Sequence, residues 1–84
     1  MKLIFAEAAW DDYLYWQQKD KRTVERINKL VKDVVREPFT GIGKPEPLKH
    51  VLSGHWSRRI TDEHRMVYRV DGDALLIAQL RYHY

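Results

Sequence analysis

At 84 residues the chain has room for one domain with one core, since a chain of this size hides only about 60–65% of the surface its unfolded form exposes. It has no cysteine, so neither disulfides nor a thiolate metal site can supplement that core, and no stretch approaches the ~18 apolar residues of a membrane span. Fifteen Lys and Arg against twelve Asp and Glu give a net charge of +3 and a pI near 9.3, a mild bias toward polyanionic partners rather than a polybasic tail.

Met1 to Phe5 reads as a short strand, too brief and too quickly followed by polar residues to be a signal peptide. A cytoplasmic protein with one domain over residues 1–84 is the expectation. Residues 6 to about 18 carry apolar or aromatic side chains at Ala6, Ala9, Trp10, Tyr13, Leu14 and Trp16, which predicts a helix. Asp20 is suited to cap a second helix running to about Arg36. Its stripe is Val24, Ile27, Leu30, Val31 and Val34, bordered by Lys21, Arg22, Arg26, Lys29 and Lys32. Pro38 ends it, because the residue before a proline avoids helical angles.

Residues 38–54 change character, punctuated by Pro38, Gly41, Gly43, Pro45, Pro47 and Gly54. This is the one long loop, and loops on a rigid scaffold often carry function. Three strand patterns follow: Trp56 to Ile60, Arg65 to Val70, and Ala74 to His83. Asp71-Gly72-Asp73 is read as a three-residue hairpin between the last two. Two helices and then a meander predict an α+β fold, with two N-terminal helices packed on one face of a small antiparallel sheet.

Strand alternation then predicts faces. Met66, Tyr68 and Val70 look core-facing, which puts Arg65 on the other side. Pairing Val70 with Ala74 brings Gln79, Arg81 and His83 to the face that holds Arg59 and Arg65. One bulge would flip that assignment. The same register sets Arg65 opposite Gln79, which leaves His83 about 13 Å further along the strand. Tyr82 and Tyr84 take the core-facing parity: Tyr82 is expected to pack there, and Tyr84, at the end, is freer to turn toward a base.

All four histidines, His50, His55, His64 and His83, lie in the second half, as do Arg58, Arg59, Arg65, Arg69 and Arg81. Guanidinium groups match phosphate oxygens with paired donors, and histidine is the side chain suited to proton transfer near neutral pH. The same pattern equally describes a solvated basic face. Glu46, flanked by two prolines with Lys44 and Lys49 nearby, is a candidate base held in a set direction, although a loop glutamate read from pattern alone is usually just solvated. The spacing of His50 and His55 fits no strong metal pattern, Gly41-Ile42-Gly43-Lys44 lacks the spacing of a phosphate loop, and Ser53 and Ser57 have no evident activating base.

Four runs taken together are distinctive: Lys44-Pro45-Glu46-Pro47-Leu48-Lys49, Gly54-His55-Trp56-Ser57-Arg58-Arg59-Ile60, Glu63-His64-Arg65-Met66-Val67-Tyr68, and the closing Arg81-Tyr82-His83-Tyr84. In this order they closely resemble the YoeB toxins of the RelE/ParE superfamily. The resemblance spans the whole chain and includes Trp10-Asp11-Asp12-Tyr13.

The resemblance implies a bacterial toxin of a type II toxin–antitoxin pair with a fold like that of RelE and the microbial ribonucleases. Such toxins enter the A site of the 70S ribosome and cut messenger RNA there, with no metal or other cofactor. A homodimer is implied, as is a YefM-like antitoxin whose C-terminal segment covers the active site. The family's base matches Glu46, its acid His83 and its main phosphate-binding arginine Arg65. Lys49 and Arg59 match supporting RNA-binding positions, and Tyr84 matches the terminal aromatic. RelE itself lacks the Glu/His pair, so both residues together favour the YoeB branch. The alternatives are a non-catalytic relative that only binds RNA or a partner, or a ParE-like inhibitor of DNA gyrase.

Overall fold

The computed structural model describes residues 1–83; Tyr84, expected from the sequence to stack on a base, lies outside the described residues. Strand β1 (Lys2–Phe5) leads into helices α1 (Glu7–Lys19) and α2 (Lys21–Arg36). A two-residue strand β2 (Glu46–Pro47) and a 3-10 turn (His50–Leu52) follow, then β3 (Trp56–Arg59), β4 (Arg65–Asp71) and β5 (Ala74–Gln79). The strands form one five-stranded sheet in the order β1-β5-β4-β3-β2. The expected meander is present as β3-β4-β5, all antiparallel. β1 joins beside β5 in parallel, with Phe5 level with Ile77, so the whole sheet is mixed.

Asp20 joins the two helices and serves both. Its N–H closes α1 on the Trp16 carbonyl at 2.9 Å, while its carboxylate accepts from the Arg22 N–H and the Thr23 hydroxyl at the start of α2. Those bonds satisfy donors that a helix start leaves unpaired. The stripe of α2 then buries Ile27, Leu30 and Val34 against Met66, Tyr68, Leu75, Ile77 and Leu80 of the sheet, with Val24 and Val31 partly buried beside them. From α1 only Ala9 and Trp16 are fully in the core. Trp10 and Leu14 remain exposed at 48% and 41%.

A buried network shapes the chain beyond α2. Glu37, just before Pro38, adopts extended angles and ends the helix as expected. The Arg58 side chain, wholly buried, then gathers the next turns. It donates to the Asp33 carboxylate at 2.6 Å, to the carbonyls of Glu37, Thr40 and Ile42, and to the Tyr68 hydroxyl. Tyr68 in turn donates to the Pro38 carbonyl at 2.6 Å, and burial pushes its phenol pKa up. Gly41 fits here at φ +122, where a Cβ would collide with the Asp33 carboxylate.

Asp33 is held well below the usual carboxylate range by Arg36, then by the Ile42 N–H and Arg58. A carboxyl whose folded pKa is depressed adds stability above its unfolded pKa, near 3.9, and loses that stability as the pH falls through and below that value. Asp33→Asn is therefore expected to weaken the fold at pH 7, with the gap to the parent narrowing toward pH 3. Urea unfolding of both proteins at the two pH values checks this; a constant gap would count against it.

The register of the last hairpin differs from the sequence reading in two ways. The turn holds two residues, Gly72 and Asp73, so that Asp71 pairs with Ala74 and Val70 with Leu75. Gly72 supplies the positive φ, +58, that this tight turn needs. Further along, Tyr68 pairs with Ile77 but Val67 pairs with Gln79, leaving Ala78 as a bulge. The first difference puts Leu75 and Ile77 in the core, and the second switches the buried parity to Leu80. The two cancel in parity at the strand's far end, so Gln79 and Leu80 regain the expected faces. They do not cancel in position, because together they advance β5 by two residues relative to β4.

The strand also stops earlier than expected, at Gln79 rather than His83. The Leu80 N–H donates to the Asp12 carboxylate of α1 instead of a neighbouring strand, and Tyr82 takes a left-handed φ of +67. Tyr82 is accordingly not packed in the core, as its parity had predicted, but 58% exposed.

Candidate active site

Four elements bring side chains to the open face of the sheet. Glu46 arrives on β2, which was expected to be loop. Its segment is stitched to β3 by the Arg59 N–H to the Gly43 carbonyl at 2.7 Å and the Leu48 N–H to the His55 carbonyl at 2.9 Å. Glu46 lies opposite Ser57, and Pro47 sits on the sheet edge, where its missing donor costs nothing.

Arg59 and Arg65 are directly paired across β3 and β4. Like charges in that relation are unfavourable unless an anion lies between them. Arg65 is buried to 7% exposure, and its Nη1 donates to the carbonyls of Thr61, Asp62 and His64, which hold the guanidinium rigidly. Arg59, its neighbour, is exposed.

His83 comes within reach because of the advanced register. Carried on from the Val67–Gln79 pair, Arg65 is level with Arg81, and its N–H donates to the Tyr82 carbonyl at 3.0 Å. The four-residue separation implied by the sequence reading is thereby halved to two. Lys44, Glu46, Ser57, Arg59, Arg65 and His83 line one cleft of about 120 Å³. In sheet order, the strand of Glu46 and the tail bearing His83 flank the two strands that carry the arginines.

Two expected members lie elsewhere. Lys49 lines a neighbouring hollow of about 290 Å³ with Glu46, Pro47, Leu48, His50 and Leu52, so Glu46 forms the divide between hollow and cleft. Arg81, expected beside Arg59 and Arg65, instead lies over the Tyr15 ring of α1 at 3.6 Å and anchors the tail. Ser57, set aside in the sequence for lack of a base, belongs to the cleft. Only the pairing of β2 with β3 could have revealed it.

The arrangement combines a carboxylate, an imidazole and two guanidinium groups around one small cleft. It can move a proton at either side while balancing negative charge between.

Residues 5–84 match the model of a family described as the YoeB-like toxin of bacterial type II toxin–antitoxin systems. The chain is similar to Toxin YoeB of Escherichia coli K12, at 69% identity over the whole of both chains. Among solved structures it is similar to a YoeB/ParE toxin from Agrobacterium tumefaciens, with a TM-score of 0.98 and 55% identity over the full length of both. It is also similar to YoeB of Staphylococcus aureus, at 48% identity over all of this chain and 98% of the other. That protein was solved in a heterotetrameric complex with YefM and as a dimer, with TM-scores of 0.92 and 0.93.

Proposed function

The chain belongs to the YoeB-like toxins of bacterial type II toxin–antitoxin systems, and from that membership we propose that it is an endoribonuclease that cuts messenger RNA in the A site of the 70S ribosome. The observation that carries this reading is the meeting of Glu46, Arg59, Arg65 and His83 in one cleft. Simple binding of RNA or of gyrase needs basic groups but no acid–base couple.

In this reading Glu46 takes the proton from a ribose 2′-hydroxyl, and that oxygen attacks the adjacent phosphorus. Arg65, with Arg59 alongside, stabilises the added negative charge of the transition state. The bond from phosphorus to the 5′-oxygen breaks, and His83 donates a proton to the leaving oxygen. The products are a 2′,3′-cyclic phosphate, opening to a 3′-phosphate, and a 5′-hydroxyl. Both proton transfers are covered by side chains, and so are the charges. Lys49, on the far side of Glu46, suits the RNA strand as it leaves the cleft, and Tyr84 would stack on a flanking base.

A YefM-like antitoxin and a homodimer complete the proposal, supported by the complex and the dimer of the Staphylococcus aureus relative. Among the described residues no helix is long and apolar enough to cross a membrane.

The test is to mix purified protein with programmed ribosomes and map the 5′ ends of the fragments. Cleavage is expected at codons in the A site, with 5′-hydroxyl ends. A messenger carrying a single 2′-deoxy sugar at the cut position is expected to resist, because the internal nucleophile is gone. Normal cutting of that messenger would sink the mechanism.

A further inference from the structure

We propose that His64 is a positioning residue for His83: its imidazole clamps the backbone N–H of Tyr82, the residue that leads His83 into the cleft. The inference rests on the nuclease reading above. The motif Glu63-His64-Arg65 is absorbed into that reading only through Arg65, and His64 has no part in it.

The geometry is specific. Nδ1 of His64 accepts the Tyr82 N–H, one residue before His83, at 2.8 Å. An Nδ1 that accepts must leave the ring proton on Nε2, so one tautomer is selected. The ring itself cannot wander. It packs edge-on against Trp16 at 4.8 Å and lies 6.2 Å from the Tyr82 ring, while Trp16 is held by donating to the Leu80 carbonyl at 2.8 Å. The backbone of His64 is equally fixed. Its carbonyl accepts from Ile60 and Thr61, and its N–H donates to the Thr61 hydroxyl.

What the clamp holds is a conformation that would not persist alone. Tyr82 has φ +67, a left-handed geometry that residues with a side chain adopt only when their surroundings impose it. It falls in the bend that follows β5, immediately before His83, which lines the cleft. The Tyr82 carbonyl is held by Arg65 and its N–H by His64, two consecutive residues of one strand entry. Arg65 and His83 are therefore set relative to each other through a single peptide. Removing the acceptor would leave Tyr82 held only from its carbonyl side, by the Arg65 N–H and Gln79 Nε2, and loosen the setting of the imidazole of residue 83 against Arg65.

Asparagine and leucine separate this role from packing. The Oδ1 of an asparagine falls near the place of Nδ1 and can accept the same N–H, whereas leucine fills the space beside Trp16 and accepts nothing. In single-turnover cleavage of programmed ribosomes, His64→Leu is expected to be slower by about 10²-fold, with ribosome affinity retained, and His64→Asn is expected to recover most of the rate. In the unmodified, uniformly ¹⁵N-labelled protein, a nitrogen–nitrogen coupling across the hydrogen bond is expected between the Tyr82 amide and His64 Nδ1. Leucine cleaving at the parental rate, asparagine failing as badly as leucine, or the absence of the coupling would each overturn the clamp. If the parent itself does not cleave, the nuclease reading fails, and the coupling still decides whether His64 holds the tail.

Discussion

His83→Gln is expected to cut messenger RNA on programmed ribosomes about 10²–10⁴-fold more slowly than the parent, while binding those ribosomes nearly as well. Glutamine keeps much of the size and hydrogen-bonding capacity of histidine but cannot donate a proton to a departing alkoxide and recover it. His83 lies beyond the paired strands and beyond the core. β4 and β5 are paired upstream of it, and the core closes at Leu80. The loss should therefore appear in the chemical step and not in the melting temperature. A substrate with sulfur in place of the bridging 5′-oxygen sharpens the test, because a thiolate leaves without help from an acid. On that linkage the variant should approach the parent. If it lags equally on both linkages, His83 is not the acid. Equal losses in cleavage and ribosome binding would reassign it to RNA binding.

The tail that delivers His83 explains what the sequence made legible and what it hid. Periodicity was sufficient for both helices, for the Asp20 cap and for the order of the three long strands, because each is a local pattern read against a local rule. Alternation put Arg59 and Arg65 on one face, but it assigned His83 to that face by extending β5 to residue 83, whereas the strand ends at Gln79 and His83 reaches the cleft on an irregular tail. Two departures lie upstream of that tail: a turn shorter by one residue and a bulge at Ala78. Neither has a signature in Asp71-Gly72-Asp73 or in Leu76-Ile77-Ala78-Gln79, since both depend on how β5 settles against β4 while β1 pairs with its other side. The two-residue advance that joins His83 to Arg65 is a tertiary outcome. So is the pull of Arg81 toward Tyr15, which no strand rule would place on the helix side. The prolines around Glu46 marked a restricted backbone, but its place in a strand opposite Ser57 was not legible, because a two-residue edge strand is too short to carry a period.

The largest loss of stability is expected at Arg58, a residue with no place in the cleft. Arg58→Met should cost about 3 kcal/mol, the lower end for breaking a buried ion pair, because Asp33 keeps Arg36 and the Ile42 N–H as partners. For a domain of this size that corresponds to a fall in Tm of roughly 12–24 °C. Methionine can fill the volume but supplies none of the donors that now serve Asp33, three loop carbonyls and the Tyr68 hydroxyl. The carbonyls can regain water only if residues 37–42 lift away from the sheet, and the Gly43 carbonyl that aligns the Glu46 segment with Arg59 lies at the end of that stretch. Cleavage should therefore fall even below the melting range, as the base drifts from its strand. Because Asp33 and Arg58 share one network, Asp33→Asn combined with Arg58→Met should lose less stability than the sum of the two single changes. Urea unfolding of the four proteins measures that coupling. Strict additivity, or an Arg58→Met protein melting within a few degrees of the parent, would mean that the loop holds its shape without the arginine, and that the position of Glu46 is set by β2 and its prolines alone.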